Sequence, residues 1–177
     1  MSLQPPPSYH APRVVVATVG RGSPREDYAK IVIDALSDAH FTFVHGVTVT
    51  REGQFIQQLV LNVANANEAD AVVLIGGVGL GPRDFTCEAV EELADRRIEG
   101  FGEAYRHLLR ETLNMGTEAL LERATAVVYN KCVVFALPQQ SVPLHRAVRA
   151  LVIPTLAQAV RAAEGVAMPP PSSAPGV

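Results

Sequence analysis

One short segment concentrates the residue types that can do chemistry. It holds four glycines (Gly76, Gly77, Gly79 and Gly81), the guanidinium of Arg83, the carboxylates of Asp84 and Glu88, and the hydroxyl of Thr86. Glycine lets a backbone turn sharply and approach a ligand closely. A helix start behind such a turn offers N–H groups and the positive end of a dipole to an anion. Neither common phosphate loop fits. A Walker A loop needs Lys-Ser/Thr after its last glycine, and Pro82-Arg83 follows Gly81 here. The dinucleotide spacing fails as well, because Gly77, Gly79 and Gly81 alternate. Glycines alone leave equal room for a tight strand-to-helix connection that holds no ligand.

The flanking elements argue for a ligand. Val72 to Ile75 is an apolar run that reads as a strand buried on both faces. Asp84 to Glu88 carries helix-start residues, and Ala89, Val90 and Leu93 follow at helical spacing. The carboxyl end of a strand in an open α/β sheet is where ligands sit.

Elsewhere the chain alternates in the same way. Strands are expected at Arg13–Val19 and Phe41–Thr50, and at 126–129 and 132–137, the last two joined by a tight turn at Asn130-Lys131. Helices are expected between Arg25 and Phe41, where Ile31, Ile33 and Leu36 are apolar, and at Ile56–Asn67, Thr86–Ala94, Phe101–Leu113 and Glu118–Ala124. A closing helix spans Leu144–Ala163, kinked or divided at Pro154. This order predicts a three-layer α/β/α fold whose sheet is mostly parallel with one antiparallel hairpin.

Composition agrees with a single globular domain. The chain has 177 residues, 48% of them hydrophobic and 19% charged, which suffices for a core without metal or disulfide staples. A net charge of -3 gives no reason to expect nucleic acid or an anionic membrane as partner. No apolar run reaches the ~20 residues that span a bilayer, and the N-terminus lacks a signal-peptide layout. Two cysteines, Cys87 and Cys132, fit a cytoplasmic location and read as small buried residues. Residues 1–11 and 165–177 are proline-rich at their ends and predict disordered tails around a domain at 12–164.

Other constellations are weak. His10, His40, His45, His107 and His145 show no metal spacing, and His40 and His45 fall on opposite faces of a strand. No serine sits in a nucleophile elbow. Asp95-Arg96-Arg97 and the Arg106/Arg110 pair read as solvated helix faces or subunit contacts, and Glu91-Glu92 as exposed helix surface.

The ordered motifs resemble the MoaB/MogA family of molybdenum-cofactor biosynthesis proteins. Its Gly-Gly-Thr-Gly and Arg-Asp-x-Thr-x-Glu-Ala signature stands here as Gly76-Gly77-Val78-Gly79 and Arg83-Asp84-Phe85-Thr86-Cys87-Glu88-Ala89. A second block, Gly-Phe-Gly-Glu with an aromatic and Arg, is Gly100-Phe101-Gly102-Glu103 with Tyr105-Arg106. Arg123-Ala124 and Asn130-Lys131 through Pro138 continue the likeness, which covers roughly residues 12 to 162.

The resemblance implies a molybdopterin site and a homotrimer or hexamer. It implies Mg-ATP-dependent adenylylation of molybdopterin, in which the terminal phosphate attacks the α-phosphate of ATP and pyrophosphate leaves. By that likeness Gly76, Gly77, Val78, Gly79, Arg83, Thr86, Arg106, Pro138, Gln139 and Gln140 line the ligand. Asp84 is the catalytic or Mg²⁺ carboxylate, Glu103 a second acid of the cleft, and Arg106 a partner for one of them.

Departures cluster at the same place. The family's Asp-Thr-Ser-Gly aligns with Arg25-Glu26-Asp27-Tyr28, and its acidic position after the second strand falls at Arg51 or Glu52. The signature Thr is Val78, the Pro-Gly-Ser loop is Pro138-Gln139-Gln140, and the Ser of Ser-Arg-Ala is Glu122. A cation in place of a metal-holding carboxylate reverses the local field. The expectation is therefore molybdopterin binding with impaired adenylylation. The alternative is a catalytically inactive homologue that serves as an oligomeric scaffold, and a nucleotide-binding enzyme of another pathway is the third reading.

Overall fold

The computed structural model describes residues 10–21 and 25–166. Of the expected tails at 1–11 and 165–177, residues 1–9 and 167–177 lie outside the described residues. From the N-terminus the elements are β1 (Arg13–Val19), α1 (Tyr28–Asp38), β2 (Thr42–Val49), α2 (Gly53–Asn65), β3 (Ala71–Ile75) and α3 (Thr86–Leu93). They continue with β4 (Arg96–Arg97), α4 (Gly100–Leu113), a 3₁₀ segment at Thr117–Leu121, β5 (Thr125–Tyr129) and β6 (Cys132–Leu137). The chain closes with α5 (Ser141–Ala147), a π-helical turn (Val148–Val152) and α6 (Ile153–Ala163).

The sheet runs β2-β1-β3-β6-β5-β4. β2, β1, β3 and β6 are parallel neighbours, while β5 and β4 run antiparallel to the strands beside them. Successive side chains of a strand point to opposite faces, and both faces here are covered. Val14, Val16, Val73, Ile75, Phe135 and Leu137 face α1, α4, α5 and α6, with Phe101 of α4 meeting Phe135 at 5.4 Å between ring centroids. Val15, Ala17, Val19, Val72, Leu74 and Val134 face α2 and α3. This is the expected α/β/α arrangement, and it explains why the central strands are continuous apolar runs. Each of these buried Val, Leu, Ile and Phe side chains contributes about 1.5–3 kcal/mol.

Three details depart from the sequence reading, and a fourth, Glu91-Glu92, gains surface partners. Asp95-Arg96-Arg97 is not a helix face. Asp95 accepts the Asn130 N–H at 2.7 Å, and Arg96-Arg97 form an edge strand that pairs with β5, adding a second antiparallel pairing to the expected hairpin. A two-residue strand carries too little pattern to be seen in the sequence. Glu118–Ala124 is a 3₁₀ segment at 117–121 rather than an α-helix. The closing helix begins earlier, at Ser141, and is divided by the π-helical turn before Pro154. A wider turn accommodates the missing N–H of a proline without breaking the helix. Glu91-Glu92 are engaged at the surface: Glu91 pairs with Arg97 at 3.3 Å and Glu92 accepts from Gln57 at 2.8 Å.

The turn at Asn130-Lys131 is as expected, with φ of 43° and 67°. Positive φ at both central residues is what a two-residue hairpin requires. β2 alternates because it is an edge strand with one covered face, where Val47 and Val49 pack on the α2 side.

Candidate functional site

Strand order decides where a crevice opens. From β1 the chain leaves to α1 on one face of the sheet, and from β3 it leaves to α3 on the other. β1 and β3 are neighbours, so their carboxyl ends flank a topological switch point, the usual ligand position in such sheets. Gly20 ends β1, and Gly76-Gly77 end β3.

The glycine loop is held by backbone geometry and one hydroxyl. Gly76 has φ 108° and Gly77 φ 68°, values that residues with a Cβ rarely adopt. The Gly76 N–H donates to Leu137 O at 2.8 Å. Thr86 is fully buried; its Oγ1 donates to Gly76 O at 2.8 Å and its N–H donates to Gly77 O at 2.9 Å. Thr86 thus straps the loop to the start of α3. A Cβ on Gly77 would lie 2.4 Å from Thr86 Oγ1, so this close approach needs glycine. Val78 turns its side chain into the core beside α2 and α3, where a methyl suits the site as well as a hydroxyl, and only its backbone faces the loop.

Asp84 closes the loop from the other side. Its Oδ2 accepts the Gly81 N–H at 3.1 Å and its Oδ1 lies 3.5 Å from Arg51 Nη1. The carboxylate crowds Gly79 and Gly81, where a Cβ would lie 2.7 and 2.8 Å from Oδ2. Of the two residues that could occupy the family's acidic position, Arg51 is the one that faces Asp84. Glu52 instead flanks the start of α2, where a hydrogen bond from Thr50 lowers its pKa below the ordinary carboxyl range. Asp84 would be the carboxylate for Mg²⁺, but a guanidinium stands beside it and an N–H occupies its second oxygen. Among the described residues no three His, Cys, Asp or Glu side chains converge. This donor set does not fit a protein-held Mg²⁺.

A cavity of about 650 Å³ opens beside the loop, lined by Gly20, Arg21, Thr48, Thr50, Arg51, Glu52 and Arg83 among others. Arg83 therefore reaches the crevice. Gln139, which follows buried Pro138 after β6, places Oε1 against Gly76 and donates from Nε2 to Arg21 O at 3.4 Å. Gln140 is exposed at the start of α5.

Glu103 and Arg106 come from a different element. They lie on α4, which packs on the opposite face of the sheet from α3. Glu103 is exposed, and Arg106 lies over Gly102, whose missing Cβ lets α4 approach Ala124 O. Among the described residues Arg106 makes no ion pair with an acid, contrary to the expected partnership.

A further residue at the loop is Arg123, which the likeness includes but to which it gives no place among the site residues. Arg123 donates from Nη1 to Gly79 O at 3.1 Å and pairs through Nη2 with Glu88. β5 runs antiparallel, so its start lies at the carboxyl end of the other strands, which no local pattern around Arg123 reveals. The remaining departures are accounted for locally. Asp27 caps α1 by accepting the Lys30 N–H at 3.0 Å, and Glu26 accepts from Ser141 at 2.7 Å. Glu122 accepts from the buried Tyr105 hydroxyl at 3.4 Å.

Comparison with known proteins shows the family and the fold. The family model described as a probable molybdopterin binding domain matches residues 14–158. Molybdenum cofactor biosynthesis protein B of Bacillus subtilis is 34% identical over 149 residues, covering 84% of this chain and 87% of that protein. A crystal structure of a molybdenum cofactor biosynthesis protein B superposes with a TM-score of 0.82 at 28% identity, over 88% of this chain and 98% of that one. The tungsten cofactor synthesizing protein MoaB of Pyrococcus furiosus superposes with a TM-score of 0.76 at 26% identity, over 88% and 99%.

Proposed function

The chain belongs to the probable molybdopterin binding domain family, and from that premise we propose that it binds molybdopterin at the Gly76–Gly79 loop and serves molybdenum cofactor biosynthesis. The observation that carries the reading is the loop itself. Two glycines of positive φ at the switch point, strapped by Thr86, bend the backbone beside a cavity of about 650 Å³; the Gly76 N–H is held by Leu137 O, which leaves the N–H groups of Gly77 to Gly79 as the donors. Molybdopterin ends in a phosphate, and such donors with a neighbouring helix start suit an oxyanion.

Adenylylation is impaired in this reading. Phosphoryl chemistry needs charge neutralised at the transferring group, and the Asp84 carboxylate is committed to Arg51 and the Gly81 N–H. The chain's own residues would bind and orient the pterin phosphate, and a homotrimer or hexamer in the cytoplasm is part of the proposal. A scaffold without ligand is the competing reading, favoured by Gln139 lying against Gly76.

Calorimetric titration with molybdopterin, with and without Mg-ATP, tests both. Saturable binding is expected, with no added heat of adenylyl transfer in Mg-ATP. No binding by folded protein of defined oligomeric state refutes the proposal in favour of the scaffold.

A further inference from the structure

We propose that the crevice at the ends of β1 and β2 is a diphosphate-binding site that works without a divalent metal, Arg51 taking the electrostatic place of the ion. Three guanidiniums, those of Arg21, Arg51 and Arg83, line the cavity against a single lining carboxylate, Glu52. Counting Asp84 at its rim, the site still holds an excess of positive charge, in a chain whose net charge is -3. A charge of that sign in a concave site focuses the field on an anion and repels a free dication. Guanidinium forks bind phosphate oxygens through paired, charge-assisted hydrogen bonds.

The fold holds this arrangement in place. Gly20 has φ 79°, and a Cβ there would lie 2.6 Å from Arg51 Nε, so the Arg51 side chain lies across Gly20. The Gly20 N–H donates to Val49 O at 2.7 Å, fixing the floor between the two strands. Asp84, at 3.5 Å, orients Arg51 from the loop side. Arg51 thus sits between Asp84 of the glycine loop and the cavity. About 650 Å³ accommodates a diphosphate with room for the group that carries it. The location beside the Gly76 loop rests on the reading of that loop as the pterin site; the anion chemistry does not.

Inorganic pyrophosphate is the probe, titrated calorimetrically into the full chain in EDTA and again in excess Mg²⁺. Binding at least as tight in EDTA as in Mg²⁺, weakened by added salt, is expected. Arg51→Ala and Arg83→Ala, both at exposed positions and checked for native circular dichroism, should each weaken it about tenfold or more. Arg51→Asp should abolish metal-free binding and make any residual binding depend on Mg²⁺. Binding that requires Mg²⁺ in the parent protein, or that neither alanine variant changes, or no binding at all, overturns the inference. Molybdopterin binding without pyrophosphate binding would defeat this site and leave the proposed function standing; the reverse would defeat the function alone. Competition between the two ligands would assign the crevice to the pterin's own phosphate, and simultaneous binding would assign it to a second, diphosphate-bearing substrate.

Discussion

Gly77→Ala isolates the geometry on which the loop depends. Gly77 has φ 68°, and holding alanine in the left-handed region costs about 1–2 kcal/mol. The new Cβ would stand 2.4 Å from Thr86 Oγ1 and 3.2 Å from Val19 Cγ1. The short contact is the decisive one, because Thr86 is fully buried and its hydroxyl is committed to Gly76 O at 2.8 Å. Moving it leaves a polar group without its partner, at about 1–3 kcal/mol. Together these give about 2–5 kcal/mol of lost stability, a fall in Tm on the order of 10 °C for a chain of this size. Urea unfolding followed by circular dichroism measures the loss as a lower midpoint at unchanged slope. Gly100→Ala is the control: no atom lies within 4 Å of its added Cβ and it starts a helix, so stability should hold or rise slightly. A Gly77→Ala protein within about 0.5 kcal/mol of the parent would show that Thr86 does not strap the loop.

Two further predictions concern charge and thiols. Asp70 is nearly buried and accepts from the Arg13 backbone and guanidinium at 2.8 Å each. Burial opposes its charge, yet Arg13 and His10 hold its pKa below the ordinary 3.8. A depressed carboxyl pKa stabilises the fold above the unfolded value and loses that contribution as pH falls through the folded one. Asp70→Asn should therefore cost about 2 kcal/mol at pH 7, and the difference should vanish in acid below pH 3.8; a gap independent of pH in denaturant titrations would refute this. Burial pushes the Cys87 thiol up to about 11 and the Cys132 thiol up to about 12. At pH 8 only roughly one Cys87 in a thousand is then a thiolate, the reactive form. Labelling with an aromatic disulfide should be slow in native protein and fast in denaturant, and rapid native labelling would count against both burials.

The sequence by itself determined the sheet's central strands, the two faces and the glycine loop. Apolar periodicity is local, and Val72 to Ile75 followed by Gly76-Gly77 announces a buried strand with a close turn whatever surrounds it. The hairpin at Asn130-Lys131 was legible for the same reason, since asparagine between two apolar runs tolerates the positive φ the turn demands. Asp84 and Thr86 could be singled out, but not the groups they touch. Only the folded chain shows Thr86 strapping the loop from within the core and Asp84 set against Arg51. The choice between Arg51 and Glu52 also belonged to tertiary structure, because neighbours in sequence at the end of a strand point in different directions. Arg123 reached Gly79 only because antiparallel β5 begins where the parallel strands end, and β4 exists only as the partner of β5. Local pattern specifies which elements form and which faces they bury. Strand order and direction, set by long-range packing, decide which side chains from distant segments meet at the crevice and therefore what charge it presents.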